Sequence, residues 1–320
     1  DPETPNKAAA GCFADIRTCV GCLHGCDANV NLEQSGTCEL NPIIGHESEA
    51  EYQTVMTDSP KNVLVIGAGP AGLEAAIGAA KRGHRVSVYD KDRWAGGKYR
   101  LASVPPCKGE LGAFIVWQMH ELKKLNVPVI LNTVVTKELV DSVKPDVIIA
   151  ATGTTPVVPR KIPGWDKDIV VLGTDVLSGK ANTGHNVVVI GGGHAGAETA
   201  NHIASYMKNV TIVELQEDIA MDEVDTPRNA LLADLEKNKV RVCASTSVSE
   251  IKDHSVVVSG KFNEEIECDT VVISIGHTPN TTLADELIQA GYDVRIIGDA
   301  VKVGLVGPAV RAGYLTARQI

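Results

Sequence analysis

Apolar and polar positions along the chain fall into two regimes that meet near Asn62. Before it, apolar residues are scattered through polar turns with little periodicity, so residues 1–60 need something other than a hydrophobic core to order them. Beyond it, short apolar runs alternate with Ala-rich and amphipathic stretches. Strands are expected at Asn62–Ile66, Arg85–Tyr89 and Val147–Ala150, and helices at Ala71–Arg82 and Lys108–Leu125. Pro156, Pro159 and Pro163 then punctuate a crossing segment. A second set follows, with strands at Val187–Ile190 and Val210–Val213 around a helix at Ala195–Lys208. Further strands are expected at Val240–Cys243, Ser255–Val258, Val271–Ile275 and Val294–Ile297, before a closing helix from about Pro308.

The two sets repeat one another. Gly67, Gly69, Gly72 and Asp90 recur 124 residues later as Gly191, Gly193, Gly196 and Glu214. Each G-x-G-x-x-G follows a strand and opens a helix, the context in which the first glycine makes a tight turn and the second lets backbone N–H groups approach a pyrophosphate. The third lets helix and strand pack closely. The positive end of the helix then faces the anion. Pro70 suits the first helical turn, where an N–H would lack a partner. His194 fills the same slot in the second copy and reads as a turn residue. Asp90 and Glu214 close their second strands, placed to bond an adenosine ribose. Glu214 would repel a 2′-phosphate, and Leu215-Gln216-Glu217-Asp218 offers no cation to bind one, which favours NAD over NADP. Gly298-Asp299 near the C-terminus, with Ala151-Thr152-Gly153, suits a flavin's ribityl chain and places FAD in the first site. The expected fold class is α/β, with two Rossmann-like dinucleotide-binding domains, one inserted in the other, behind an irregular leading segment.

Composition narrows the field. At 320 residues with 44% hydrophobic content the chain can bury about two cores, and its 30 glycines and 4% aromatics suit tight strand-to-helix turns. A net charge of −10 argues against nucleic acid or an anionic membrane as partner. No run approaches the ~18 apolar residues of a membrane span, and Asp1-Pro2-Glu3-Thr4-Pro5 does not read as a signal peptide, so a cytoplasmic location is expected. The opening on Asp1 rather than Met suggests a piece of a longer protein.

Eight cysteines in such a chain suggest metal or redox use rather than a disulfide framework. Cys19, Cys22, Cys26 and Cys38 form a C-x2-C-x3-C-x11-C array. Structural zinc usually presents paired C-x2-4-C elements. Three crowded cysteines with a distant fourth fit the corners of an iron–sulfur cubane better, and spacing leaves zinc and, less well, plain structural cysteines in a polar loop as the alternatives. Cys12, Cys107, Cys243 and Cys268 have no such spacing and are expected to be small buried hydrophobes.

Arg17-Thr18-Cys19-Val20-Gly21-Cys22, Cys26, Cys38-Glu39-Leu40-Asn41-Pro42 and Gly45-His46-Glu47 closely resemble the 2,4-dienoyl-CoA reductase/enoate reductase family, to whose larger group trimethylamine dehydrogenase belongs. The likeness continues through Gly67–Gly72, Gly96-Gly97, Ala151-Thr152-Gly153, Gly191–Gly196 and Gly298-Asp299. It implies a [4Fe-4S] cluster on Cys19, Cys22, Cys26 and Cys38, FAD at the first loop, and NAD(H) at the second on Gly191, Gly193, Gly196 and Glu214. FAD would be held by Gly67, Gly69, Ala71, Gly72, Asp90, Gly97, Lys98, Lys108, the strand residue Val135 and Asp299. Many relatives carry Gln where this chain has Lys98.

The resemblance also implies a division of the chain. Residues 1–11 would be the end of a (β/α)8 barrel and 12–60 the cluster-binding segment. Residues 61–160 and 276–320 would form the FAD-binding domain, and 161–275 the NAD-binding domain. The barrel, with its FMN and acid/base residues, would be the partner that precedes this chain, so no catalytic residue is assigned. The expected function is the NADH-oxidising portion of an iron–sulfur flavoenzyme, passing electrons from NADH through FAD and cluster to FMN, which reduces an activated C=C bond. The rivals are a trimethylamine-dehydrogenase-like relay with ADP in place of FAD, a glutamate-synthase small-subunit type, and a zinc-stapled nucleotide-binding protein that is not an enzyme.

Overall fold

The computed structural model describes residues 1–320, which divide into two compact units. One comprises residues 1–100, 110–155 and 279–320; the other comprises residues 101–109 and 156–278.

The first unit is built on a five-stranded parallel sheet in the spatial order Val294–Ile296, Val147–Ala150, Asn62–Ile66, Arg85–Tyr89, Val129–Ile130. Alternation along the central strand divides the interior. Val63 and Val65 face helices Pro70–Lys81, Gly112–Lys124 and Val306–Arg318, while Leu64 and Ile66 face Val140, Ile148 and Leu287 on the other side. Helices Pro70–Lys81 and Val306–Arg318 approach so closely that a Cβ on Gly313 would sit 2.2 Å from the Ala71 carbonyl oxygen. Small side chains make that contact, and any larger residue at 313 would force the helices apart.

The leading segment folds onto this unit without a sheet of its own. It contains only the short helices Thr4–Ala9 and Asp27–Asn31 and two 3-10 turns. Val20 and Leu40 bury into the core beside Phe114 and Trp117. Polar ties hold the rest. Asp15 accepts from His120 at 2.7 Å and Lys124 at 2.6 Å, and its carbonyl accepts from the Trp117 indole at 3.1 Å. Lys124 and His120 hold the Asp15 carboxyl below its usual range.

The second unit repeats the arrangement, with parallel strands ordered Val170–Leu172, Thr270–Ile273, Asn186–Ile190, Asn209–Val213, Arg241–Cys243. Val187 and Val189 face one layer, Val188 and Ile190 the other. An antiparallel sheet of Thr246–Ile251, Ser255–Gly260 and Glu264–Glu267 covers the latter face, with a register shift between Val248 and Glu250. The short strands Thr154–Pro156 and His277–Pro279, at two of the boundaries between the units, pair with each other.

Several elements differ from expectation. The helix expected at Lys108–Leu125 is a 3-10 turn, Gly109–Leu111, followed by helix Gly112–Lys124. The second fingerprint helix is His194–Ala204 rather than Ala195–Lys208, because the chain turns at Met207, whose φ is 59°. Val135 is not on a strand; it precedes Thr136, whose hydroxyl caps helix Lys137–Val143. Cys243 and Cys268 are buried as expected, and burial pushes the Cys268 thiol up to about 11. Cys12 and Cys107 are exposed instead, Cys12 just before the 3-10 turn Phe13–Asp15 and Cys107 in a loop at φ 63°.

Candidate functional site

The first glycine loop joins strand Asn62–Ile66 to helix Pro70–Lys81 beside the end of strand Val147–Ala150. There the sheet order reverses, the position at which open α/β sheets bind ligands. Gly67 turns at φ 109°, and a Cβ there would strike the Ala151 carbonyl oxygen at 2.2 Å. A Cβ on Gly72 would stand 2.0 Å from the Gly67 oxygen. Gly69 is different: a Cβ there would meet nothing within 4 Å. No protein atom requires glycine at 69, so the space over it fits a bound group that approaches the backbone closely. Pro70 opens the helix, with Gly69 as its N-cap.

Asp90 is fixed by two backbone donors, Ala68 N–H at 2.6 Å and Asp92 N–H at 2.8 Å. The Gly96 N–H donates to the Ala68 carbonyl at 2.7 Å and brings the Gly97 corner against the loop, where a Gly97 Cβ would lie 3.5 Å from the Gly69 α-carbon. Lys98 and Asp299, both expected at the cofactor, pair at 2.8 Å. Val135, also expected there, is buried among Leu64, Ile66, Val140, Ile148 and Leu287.

The second loop repeats these bonds at the same 124-residue offset. Glu214 accepts from the N–H groups of Gly192 and of Gln216, the latter at 2.7 Å, and Ala220 N–H donates to Gly192 oxygen at 2.7 Å. A Cβ on Gly196 would stand 2.0 Å from the Gly191 oxygen. The carboxylate at the end of the second strand is therefore held in place in both copies by its own glycine loop. Lys108, expected at the flavin, belongs to this unit and pairs with Glu198, a buried carboxylate of helix His194–Ala204.

One feature of the second loop has no counterpart in the first. Asp222 accepts from the His194 backbone N–H at 2.7 Å and from its Nδ1 at 2.8 Å. The bond to His194 lowers the Asp222 carboxyl to about 2 and raises the imidazole above its ordinary value. His194 is thus the first residue of the helix and also half of an ion pair. Sequence reading had no signal for Asp222, which lies 28 residues further on.

The four array cysteines carry free thiols. Cys22 and Cys38 pack against the core, while Cys19 and Cys26 face outward. No three of the four lie within 4.8 Å of one another. Gly21, at φ 63°, donates its N–H to the Cys19 sulfur at 3.4 Å. Tyr99 lies against this group, edge-on to Phe114, and its buried hydroxyl has no hydrogen-bond partner. Burial first, then the negative charges of Cys22, Glu39 and Cys38, push the phenol far upward, which keeps it a donor. The donor set and this orphaned hydroxyl both fit a sulfur-rich group.

The segment is tied to the first unit on either side of the array. Arg17 donates to the Leu40 carbonyl at 2.6 Å and to Glu74 of helix Pro70–Lys81 at 2.8 Å, with its guanidinium 4.0 Å from the centre of the Trp117 ring. Glu39 accepts from Gly307 N–H, in the first turn of helix Val306–Arg318, at 2.7 Å. No helix of the chain is long and apolar enough to cross a membrane.

Comparison with known proteins adds three findings. Residues 61–298 match the sequence model of the pyridine nucleotide-disulphide oxidoreductases. Over its whole length the chain is 38% identical to an NADH oxidase of Thermoanaerobacter brockii and 35% identical to a cinnamate reductase of Clostridium sporogenes, covering 50% and 48% of those proteins. A solved 2-naphthoyl-CoA reductase in complex with 2-naphthoyl-CoA superposes on all of it with a TM-score of 0.96 at 32% identity, across 49% of that chain. The chain spans about half the length of the curated relatives it matches.

Proposed function

The chain belongs to the pyridine nucleotide-disulphide oxidoreductase family and has the NAD(H)-linked flavoprotein character of an oxidoreductase, and from that premise we propose that it is the electron-transfer portion of an iron–sulfur flavoenzyme of enoate-reductase type. In this reading NADH is oxidised, FAD and a [4Fe-4S] cluster carry the electrons onward, and FMN in a preceding barrel domain reduces an activated C=C bond. The observation that carries it is the placement of four free thiols on the same unit as the first glycine loop, tied to that loop's own helix through Arg17 and Glu74.

Each part of the chain has a defined task. Gly67, Gly69, Ala71 and Gly72 shape a cradle for a pyrophosphate, and Asp90, locked by Ala68 and Asp92, accepts from the ribose. Gly97 lies against the same loop, with Lys98 next to it in the chain and paired to Asp299. Gly191, Gly193, Gly196 and Glu214 do the equivalent for NADH, with Glu214 disfavouring a 2′-phosphate. Cys19, Cys22, Cys26 and Cys38 would hold the cluster. A flavin accepts electrons in pairs and releases them singly, which is the conversion that NADH and an iron–sulfur centre require of it.

The test is anaerobic purification of the chain with assays for iron, sulfide, zinc and flavin, followed by NADH titration in the visible range. About four irons, one FAD and NADH-dependent bleaching are expected. Zinc without flavin overturns the proposal in favour of a nucleotide-binding protein, and bound ADP overturns it in favour of the trimethylamine-dehydrogenase-like relay.

A further inference from the structure

The two glycine loops provide an internal control. Their hydrogen bonds coincide at an offset of 124 residues: Ala68 to Asp90 against Gly192 to Glu214, and Gly96 to Ala68 against Ala220 to Gly192. The same offset pairs Gly69 with Gly193, Pro70 with His194, and Lys98 with Asp222. At one equivalent position, two residues beyond the corner that each loop binds, the first copy thus carries a cation and the second a carboxylate.

The difference reaches the floor of each cradle. Over Gly69 a Cβ would meet nothing within 4 Å. Over Gly193 a Cβ would meet the Asp222 carboxylate oxygens at 3.5 and 3.6 Å. Asp222 also takes the His194 N–H at 2.7 Å. That N–H belongs to the first residue of the helix, and the first-turn N–H groups are the donors a pyrophosphate uses. In the first copy the equivalent residue, Pro70, has no N–H to offer. Lys98 is turned toward Asp299 and leaves its loop open.

From this we infer that Asp222 is the residue that sets the nucleotide affinity of the second loop. Its carboxylate stands in for the pyrophosphate on the His194 N–H, and must swing away for the nucleotide to bind. The side chain is half exposed on the edge of the loop, so its departure disturbs no core packing. A competitor within the chain weakens binding without altering the cradle itself. That suits a ligand that arrives as NADH and leaves as NAD⁺, whereas the open first loop suits a cofactor that stays. This inference rests on reading the second loop as the NADH site.

The experiment compares the full chain, flavin-loaded, with Asp222→Asn and Asp222→Ala. NADH and ADP-ribose binding are measured by calorimetry, NADH association and release by stopped-flow, and flavin content in parallel. Asn keeps an oxygen for the His194 N–H and removes the charge; Ala removes both. Both variants are expected to bind about fivefold tighter, the size of one solvent-screened charge contact, with the gain in the association rate and flavin content unchanged. Equal or weaker binding by Asp222→Asn, with flavin retained, overturns the inference. A wild-type chain that retains flavin yet binds neither NADH nor ADP-ribose overturns the assignment of the second loop instead.

Discussion

Arg17 and Glu74, 57 residues apart in sequence, are joined by a 2.8 Å ion pair in which the carboxylate is almost wholly buried. Glu74 lies two residues beyond Gly72 on the first fingerprint helix, and Arg17 two residues before Cys19. One bond therefore connects the cysteine segment to the helix that shapes the first cradle.

Replacing Arg17 with Met leaves Glu74 buried with only the Gln118 amide, at 3.1 Å, as partner. An uncompensated buried carboxylate costs about 3–5 kcal/mol. Chemical denaturation of Arg17→Met should show a loss of that order, with limited proteolysis cutting first within residues 1–60.

The glycines of the first loop separate folding from binding. Gly72→Ala places a Cβ 2.0 Å from a backbone oxygen and should displace the loop, lowering both stability and flavin content. Gly69→Ala meets no protein atom and has an ordinary φ of −77°. It should change stability by no more than about 0.5 kcal/mol while flavin is lost. A thermal melt and a flavin assay on the two variants check this.

The His194–Asp222 pair gives a pH signature. The folded imidazole titrates above its ordinary 6.5, so its contribution is full below that value and is lost as pH rises through the raised one. The folded carboxyl titrates at about 2 instead of 3.8, so its contribution is present above 3.8 and lost as pH falls toward 2. The stability difference between wild type and Asp222→Asn should therefore form a plateau from about pH 4 to 6.5 and shrink on both sides. Both groups are partly exposed, so the plateau should stand below about 1 kcal/mol. Urea denaturation across pH 2–9 measures it.

Tyr99→Phe removes a buried hydroxyl that has no partner. An unpartnered polar group gives nothing back for its desolvation. Without metal, the variant should melt at the same temperature as wild type or slightly above it. A clearly lower melting temperature would show that the hydroxyl already has a role in the bare fold.

What could be read from the sequence was whatever local stereochemistry dictates. The glycine loops, their strands and their acids were legible because strand, turn and helix follow one another directly in the chain, as where Gly72 packs against the oxygen of Gly67 in the same loop. Helix ends were less so. Nothing in Ser205-Tyr206-Met207-Lys208 breaks a helix by composition, yet the chain turns there. The resemblance implies a strand at Val135, while the Thr136 cap starts a helix there instead. The opposed charges of Lys98 and Asp222, and the position of Tyr99 beside Cys22 and Cys38, were hidden because only the tertiary fold gives these residues neighbours.

The paired crossings, finally, have a consequence for how such a chain can be rearranged. Gly153 bonds Asn280 at one end of the pair and Gly276 bonds Val157 at the other, so the two segments run in opposite directions like a hairpin stem. A stem of that kind is closed by a two-residue turn. The chain between the two arms of that stem, residues 158–275, therefore holds the whole second fingerprint with its sheets and its carboxylate plug. Excision or exchange at that stem leaves the register on either side intact, which is the topological condition for a duplicated domain to be inserted into its own copy.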